Sequence, residues 1–181
     1  MDSTEIPFLP ATELSALIRS GDVSPVEAAE AYLDRIGQID GKLNSYITVC
    51  RDEALAEAQQ AEKEIAAGNY RGPMHGLPVA VKDQFYTKGI RTTGGSAILK
   101  DLVPNEDATV VANLKSAGSV LLGKLNMSEY AMGDAFFHPF GTPHNPWDLS
   151  RNPGTSSSGS GAATAAFLCA TSLGEDTGGS I

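Results

Sequence analysis

The sequence has little of most features that would place a chain in a specialised class. Its 181 residues include only two cysteines, Cys50 and Cys169. Two lone thiols make no disulfide framework, which fits a reducing compartment. Cys169 lies in the run AAFLCA and reads as a small buried hydrophobe, not as a nucleophile. The three histidines, His75, His138 and His144, show neither HExxH nor Cys/His ligand spacing, so no metal site is expected. Basic residues are outnumbered, 13 Lys and Arg against 22 Asp and Glu, for a net charge of −9. Without a Lys/Arg cluster, direct binding to nucleic acid is not expected. No apolar run approaches the ~20 residues of a membrane span. Residues 1–10 carry Asp2 and Glu5, not the basic start of a secretory signal. A soluble, cytoplasmic protein without membrane contact is the default, and no internal repeat is visible.

What is present is a chain able to bury a core, with 41% hydrophobic residues, as one domain or part of a larger one. The first third reads as helices. Thr12 precedes a periodic segment, Leu14, Leu17 and Ile18, that stops at Gly21. Ser24-Pro25-Val26-Glu27 is a capping box with proline at the first helical position. It opens a helix whose apolar side is Ala28, Ala29, Tyr32, Leu33 and Ile36. A third helix, 51–67, closes at Gly68-Asn69. The period then changes. GLPVAVKD (76–83) and SVLLGK (119–124) read as strands, joined by a helix that Asp107 is expected to cap and Gly118 to stop. Strand, helix, strand at this spacing indicates an α/β sheet with covered faces. The stretch 133–153 carries prolines at 139, 143, 146 and 153, and is long enough to be functional or to pack over a site. His138 and His144 within it could line a substrate entrance, though surface loop residues are the default reading.

From Pro153 the chain reads PGTSSSGSGAATAAFLCATSLGEDTGGSI. A Gly/Ser linker has such a composition, but this run feeds an Ala-rich helix and then a second glycine turn, which a linker does not need. A phosphate-binding loop fails as well. Ser160 and Gly161 stand where a Walker loop needs Lys and Ser/Thr, and GxGxxG lacks its third glycine.

GLPVAVKD with Lys82, PGTSSSGSGAA, and GEDTGGSI in this order resemble the amidase-signature family, as do GKLNMSEYAMG and the upstream helices. The resemblance covers nearly the whole chain. It implies an α/β fold, a central mixed sheet with helices on both faces, present here only in part. The chain would be the N-terminal portion of one domain, with a helical segment 1–70 and a catalytic sheet region 71–181. It implies Ser180 as nucleophile, Ser156 as a bridging serine with a cis peptide, and Lys82 as general base. The backbone amides of Thr177, Gly178, Gly179 and Ser180 would form the oxyanion hole, with Ser157 and Asp176 in support. An arginine following Ile181 would pair with Asp176. The sequence departs from the family at Thr155 and Ser158, where small residues are usual, and at Glu175, where threonine is common.

The chemistry accounts for these residue types. A serine attacking an amide must lose its proton as it attacks. No His/Asp pair is placed to take it, so lysine is the base. Free lysine titrates near 10.4, and a neutral amine at pH 7 needs a drop of about three units, roughly 4–5 kcal/mol. Desolvation among Val79, Ala80 and Val81 can supply it. Asp83, next along the strand, is expected on the opposite face. A hydroxyl at 156 both accepts and donates, passing the proton between Ser180 and Lys82. Read alone, Lys82 could equally be a surface lysine at a strand end.

The resulting expectation is an amidase that cleaves a carboxamide through an acyl-enzyme, without cofactor or metal. The family also contains amidotransferase subunits of the glutamyl-tRNA(Gln) type, which release ammonia from glutamine for partner subunits, and MHGLPVAVKDQFYTKGIRTT resembles those too. The remaining possibilities are a homo-oligomer and a non-catalytic fragment. As part of a longer enzyme, the chain by itself is expected to be inactive.

Overall fold

The computed structural model describes residues 2–132 and 137–181. Residues 133–136 of the proline-rich stretch lie outside the described residues. After a 3-10 turn at Ile6–Phe8 come α1 (Ala11–Ser20), α2 (Pro25–Leu43), β1 (Tyr46–Val49) and α3 (Arg51–Ala66). Then follow β2 (Pro78–Lys82), α4 (Thr109–Ser116), β3 (Val120–Leu125), α5 (Ser158–Ala165) and β4 (Thr171–Leu173).

The start of α2 is fixed locally. Ser24 Oγ accepts from the Glu27 amide at 3.0 Å and the Glu27 carboxylate accepts from the Ser24 amide at 2.8 Å. Pro25 adds a preset φ at the first turn. The expected apolar side, Ala28, Ala29, Tyr32, Leu33 and Ile36, is buried in the main core. Asp107, however, does not cap α4. The helix begins after Ala108, and the Asp107 carboxylate takes the Lys88 amide at 2.7 Å and Lys115 Nζ at 2.8 Å. An ammonium and an amide from elsewhere outcompete the first helical turn for the carboxylate.

The four strands form one mixed sheet in the order β1-β3-β2-β4. β2 runs parallel to both β3 and β4, and β1 is antiparallel to β3. β1 lies within the stretch read as helical, so that segment also contributes to the sheet. One face carries Ala80, Val120 and Leu122 against α2 and α5, in the core cluster that includes Tyr32 and Ala163. The other carries Val79, Val81 and Leu121, packed with Leu114 of α4. The architecture is α/β with a central mixed sheet flanked by helices.

A β-bulge interrupts the β2–β3 ladder. Val79 pairs with Leu121 but Ala80 pairs with Gly123, leaving Leu122 as the extra residue. The Leu121 amide donates to Glu57 of α3 at 2.8 Å. At Gly123 a Cβ would come within 2.3 Å of the Thr48 carbonyl oxygen, so β1 reaches this ladder only if residue 123 has no side chain. After the bulge, Lys124 is level with Val81 and Leu125 with Lys82. The two lysines therefore leave on opposite faces.

Candidate active site

The parallel strands β2 and β4 end on the same edge of the sheet, where open α/β sheets place their ligand sites. Lys82 is the last residue of β2, and its side chain is fully buried. The surface-lysine alternative is thereby excluded. Its Nζ donates to Ser156 Oγ at 2.8 Å. It also lies 3.4 Å from the Glu175 carbonyl oxygen and 3.2 Å from Glu175 Oε2. Burial pushes this ammonium below the ordinary lysine range, while the Glu175 and Asp176 carboxylates work in the opposite direction. Asp83 points away as expected, accepting from the Thr93 amide at 2.7 Å and its hydroxyl at 2.5 Å.

The serine-rich loop is held against the end of β3. The Gly159 amide donates to the Asn126 carbonyl at 3.0 Å, and a Cβ at Gly159 would meet that oxygen at 2.4 Å. Asn126 is anchored in turn, its amide bonding Ser45 O at 2.8 Å and its Nδ2 bonding Asn44 O at 2.9 Å. Ser156, Ser157 and Ser158 are consequently all buried. Ser157 joins this loop to the one after β4. Its hydroxyl donates to Glu175 O at 2.8 Å and accepts from the Glu175 amide at 3.2 Å, and its own amide donates to Ser180 O at 2.8 Å. Thr155 Oγ1 adds a bond to Gly179 O at 2.6 Å.

Ser156 and Ser180 thus line one cavity of about 530 Å³, together with Thr177, Gly178, Gly179 and Glu175. Three expectations are not met in this arrangement. Among the described residues no hydrogen bond joins Ser156 to the Ser180 hydroxyl, so the lysine–serine contact is formed and the serine–serine contact is not. Every described peptide bond is trans, including those at Ser156. A non-proline cis bond costs about 3–4 kcal/mol and persists only where its surroundings force it, and here the neighbouring Thr155 and residues 176–179 are exposed. The third difference concerns the amides expected to form the oxyanion hole. Asp176 accepts from the amides of Ser180, Gly179 and Ile181, which holds its carboxyl below the usual range. Two of the four amides are directed at Asp176, in a turn where Gly179 adopts φ of 107°.

The role of Glu175 was not foreseen from the sequence, and the surface reading of His138 is not met. Glu175 reaches Lys82, a contact visible only once β4 is placed beside β2. His138 is buried, not on the surface, and its Nε2 lies 3.0 Å from Ser158 Oγ. Cys50 and Cys169 are buried, and burial raises each thiol to about 12, as befits structural residues. Among the described residues no group of three or more His, Cys, Asp or Glu is arranged to hold a metal ion, and no helix is long and apolar enough to cross a membrane.

The amidase family model matches residues 27–181. The chain belongs to the amidase family. A glutamyl-tRNA(Gln) amidotransferase subunit from Salinispora tropica is 48% identical over 179 residues, covering 98% of this chain and 36% of the relative. The subunit of the same name from Geobacter sp. is 52% identical over 170 residues, covering 93% and 35%. Among solved structures, an amidase family protein from Bacillus anthracis superposes with a TM-score of 0.90 at 33% identity, covering 99% of this chain and 37% of the other. This amidase-family chain spans about a third of the length of the curated relatives it matches.

Proposed function

We propose that the protein cleaves a carboxamide C–N bond through an acyl-enzyme on Ser180, with Lys82 as the base and Ser156 as the proton carrier. The observation that carries this reading is a fully buried lysine whose Nζ lies 2.8 Å from a buried serine hydroxyl. Burial disfavours the ammonium, so a desolvated lysine can serve as a neutral base once its contact with Glu175 is released. Ser180 Oγ attacks the carbonyl carbon as its proton passes to Ser156 Oγ and the Ser156 proton passes to Lys82 Nζ. The tetrahedral intermediate breaks its C–N bond, and the amine leaves with the proton returned from Lys82 through Ser156. Water then attacks the ester by the same relay, releasing the acid and restoring Ser180.

The reading requires two adjustments from the arrangement described. Ser180 Oγ must turn onto Ser156, and the Gly179 and Ser180 amides must leave Asp176 to face the oxyanion. A cation beside Asp176, such as the arginine implied by the family resemblance, would release them. One donor of this kind is worth about 10²–10³ in rate. The 181-residue chain by itself, with Asp176 holding those amides, should therefore turn over poorly.

The test is Ser180→Ala in the full-length protein. Hydrolysis should fall by roughly 10⁴-fold or more, and the acyl adduct detected by mass spectrometry should disappear. Retained hydrolysis with a retained adduct would overturn the assignment.

A second reading is favoured by the relatives at 48% and 52% identity, both named as subunits of glutamyl-tRNA(Gln) amidotransferase. In that case the same site releases ammonia from glutamine for a partner protein. Glutamine-dependent ammonia release that requires the presence of partner subunits would select it over hydrolysis of free amides.

A further inference from the structure

Resting on the proposed role of Lys82, we propose that Glu175 is a positioning residue that holds Lys82 as a hydrogen-bonded ammonium in the resting site, and whose carboxylate must release it before Lys82 can take the proton from Ser156. The geometry is specific. Glu175 Oε2 lies 3.2 Å from Lys82 Nζ, while Oε1 accepts from Thr177 Oγ1 at 2.6 Å. Both main-chain groups of Glu175 are fastened by Ser157 Oγ, so the residue cannot drift from the lysine by loop motion alone. The side chain has room to turn once its bonds to Lys82, Thr177 and Gln84 are broken. It is 28% exposed and lines both the cavity of about 530 Å³ around Ser180 and a neighbouring one of about 490 Å³ bounded by Gln84, Tyr86 and Tyr130. Turning outward from Lys82 places the carboxylate in open space.

The charges around Lys82 on each neighbouring element are few. The loop after β4 brings Glu175 and Asp176, both of which favour the ammonium. The serine-rich loop brings only hydroxyls. Gln84, next to the site, is neutral and bonds Glu175. Lys124 and Asp83 form their own pair on the far face of the sheet, 3.4 Å apart. Glu175 is therefore the one carboxylate in direct contact with Lys82 among the described residues. A charge at this distance opposes the desolvation that would otherwise make the amine neutral.

The sign follows from that balance. Lys82 is competent when neutral, so turnover rises with pH through its titration. Removing the opposite charge lowers that titration point, so the acid limb of kcat/KM should move to lower pH in Glu175→Gln, by roughly 1–3 pH units. At high pH, where the lysine is neutral in either protein, the two should converge. Glu175→Asp keeps the charge and should return the limb toward its original position. A merely structural role would lower activity at every pH without moving the limb.

The experiment is the pH profile of the full-length protein and these two variants, with the Lys82 ¹³Cε resonance followed over the same range and assigned by its loss in Lys82→Met. A limb and a resonance that both move down in Glu175→Gln, and return in Glu175→Asp, support the proposal. An unmoved limb in a protein that Ser180→Ala silences would overturn it while leaving the proposed function standing. If Ser180→Ala stays active, the proposed function fails and the resonance alone decides. A Lys82 titration that is the same in Glu175→Gln then overturns the proposal.

Discussion

Two lysines, one at the end of β2 and one on the adjacent strand β3, are both withdrawn fully from water, yet they live in different electrostatic worlds. Lys124 lies on the face away from the serines. Its Nζ donates to Thr92 Oγ1 at 2.7 Å and to Phe85 O at 2.8 Å, with Asp83 Oδ1 at 3.4 Å, and the Lys124 and Asp83 side chains are both sealed from solvent. Burial brings it down to about 8 against the pull of Asp83. Lys82 meets a hydroxyl and a partly exposed carboxylate at the rim of a cavity. An ammonium with a buried counter-charge and satisfied donors belongs to the architecture. One whose partner is already partly exposed can give up that partner to solvent, and so change protonation, while the fold stays intact. Depth of burial alone does not separate the two lysines; the exposure of the counter-charge does.

The sharpest way to break this contrast is to remove each ammonium in turn. Lys82→Met should cost roughly 10⁴-fold or more in amide cleavage, with an unfolding midpoint that is unchanged or higher, because an apolar side chain suits the site. Lys124→Met should do the reverse. Leaving Asp83 alone in the interior should lower stability by about 3–5 kcal/mol in denaturant titrations, with any activity loss following the folded fraction. If Lys124→Met stays stable, the far-face pair is not structural and the contrast fails.

A smaller effect sharpens it further. Combining Asp83→Asn with Lys124→Met should be less damaging than the sum of the single changes, by about 1–3 kcal/mol, as expected for partners in contact. Additivity would mean the two groups do not interact. Of the same size, Gly123→Ala should destabilise by about 1–3 kcal/mol, because its methyl meets the Thr48 carbonyl and forces β1 away. Loss of the β1 amide protection in hydrogen exchange would locate the damage.

How much of this was legible in the sequence depended on how local each interaction is. The Ser24 capping box and the apolar side of α2 lie within a few residues of one another, and both appear where the sequence places them. The β-branched run ending at Lys82 likewise announces β2. The four-residue strand Tyr46–Val49 does not announce itself, since it exists only through pairing with β3, far along the chain. Within the site, Lys82 and the serines could be named from their motifs. The Glu175 contact could not, because it follows from β4 lying beside β2. The departure from threonine at that position was the one available signal. The burial of His138 was hidden for the same reason: its partner is Ser158, on an element that packs only in three dimensions.

The surplus residue at Leu122 acts as a phase shifter. With strict alternation from Val120 onward, position 124 would emerge on the same side as position 82, and two cations would crowd one desolvated space. Deleting Leu122 would leave a regular ladder with Lys124 still opposite Val81, whereas inserting one residue after it would bring Lys124 level with Lys82, turn it away from Asp83 and set like charges side by side. Segregation of the two ammoniums is thus written into a count of backbone units, and an insertion between Leu122 and Lys124 should be tolerated far less well than deletion of Leu122.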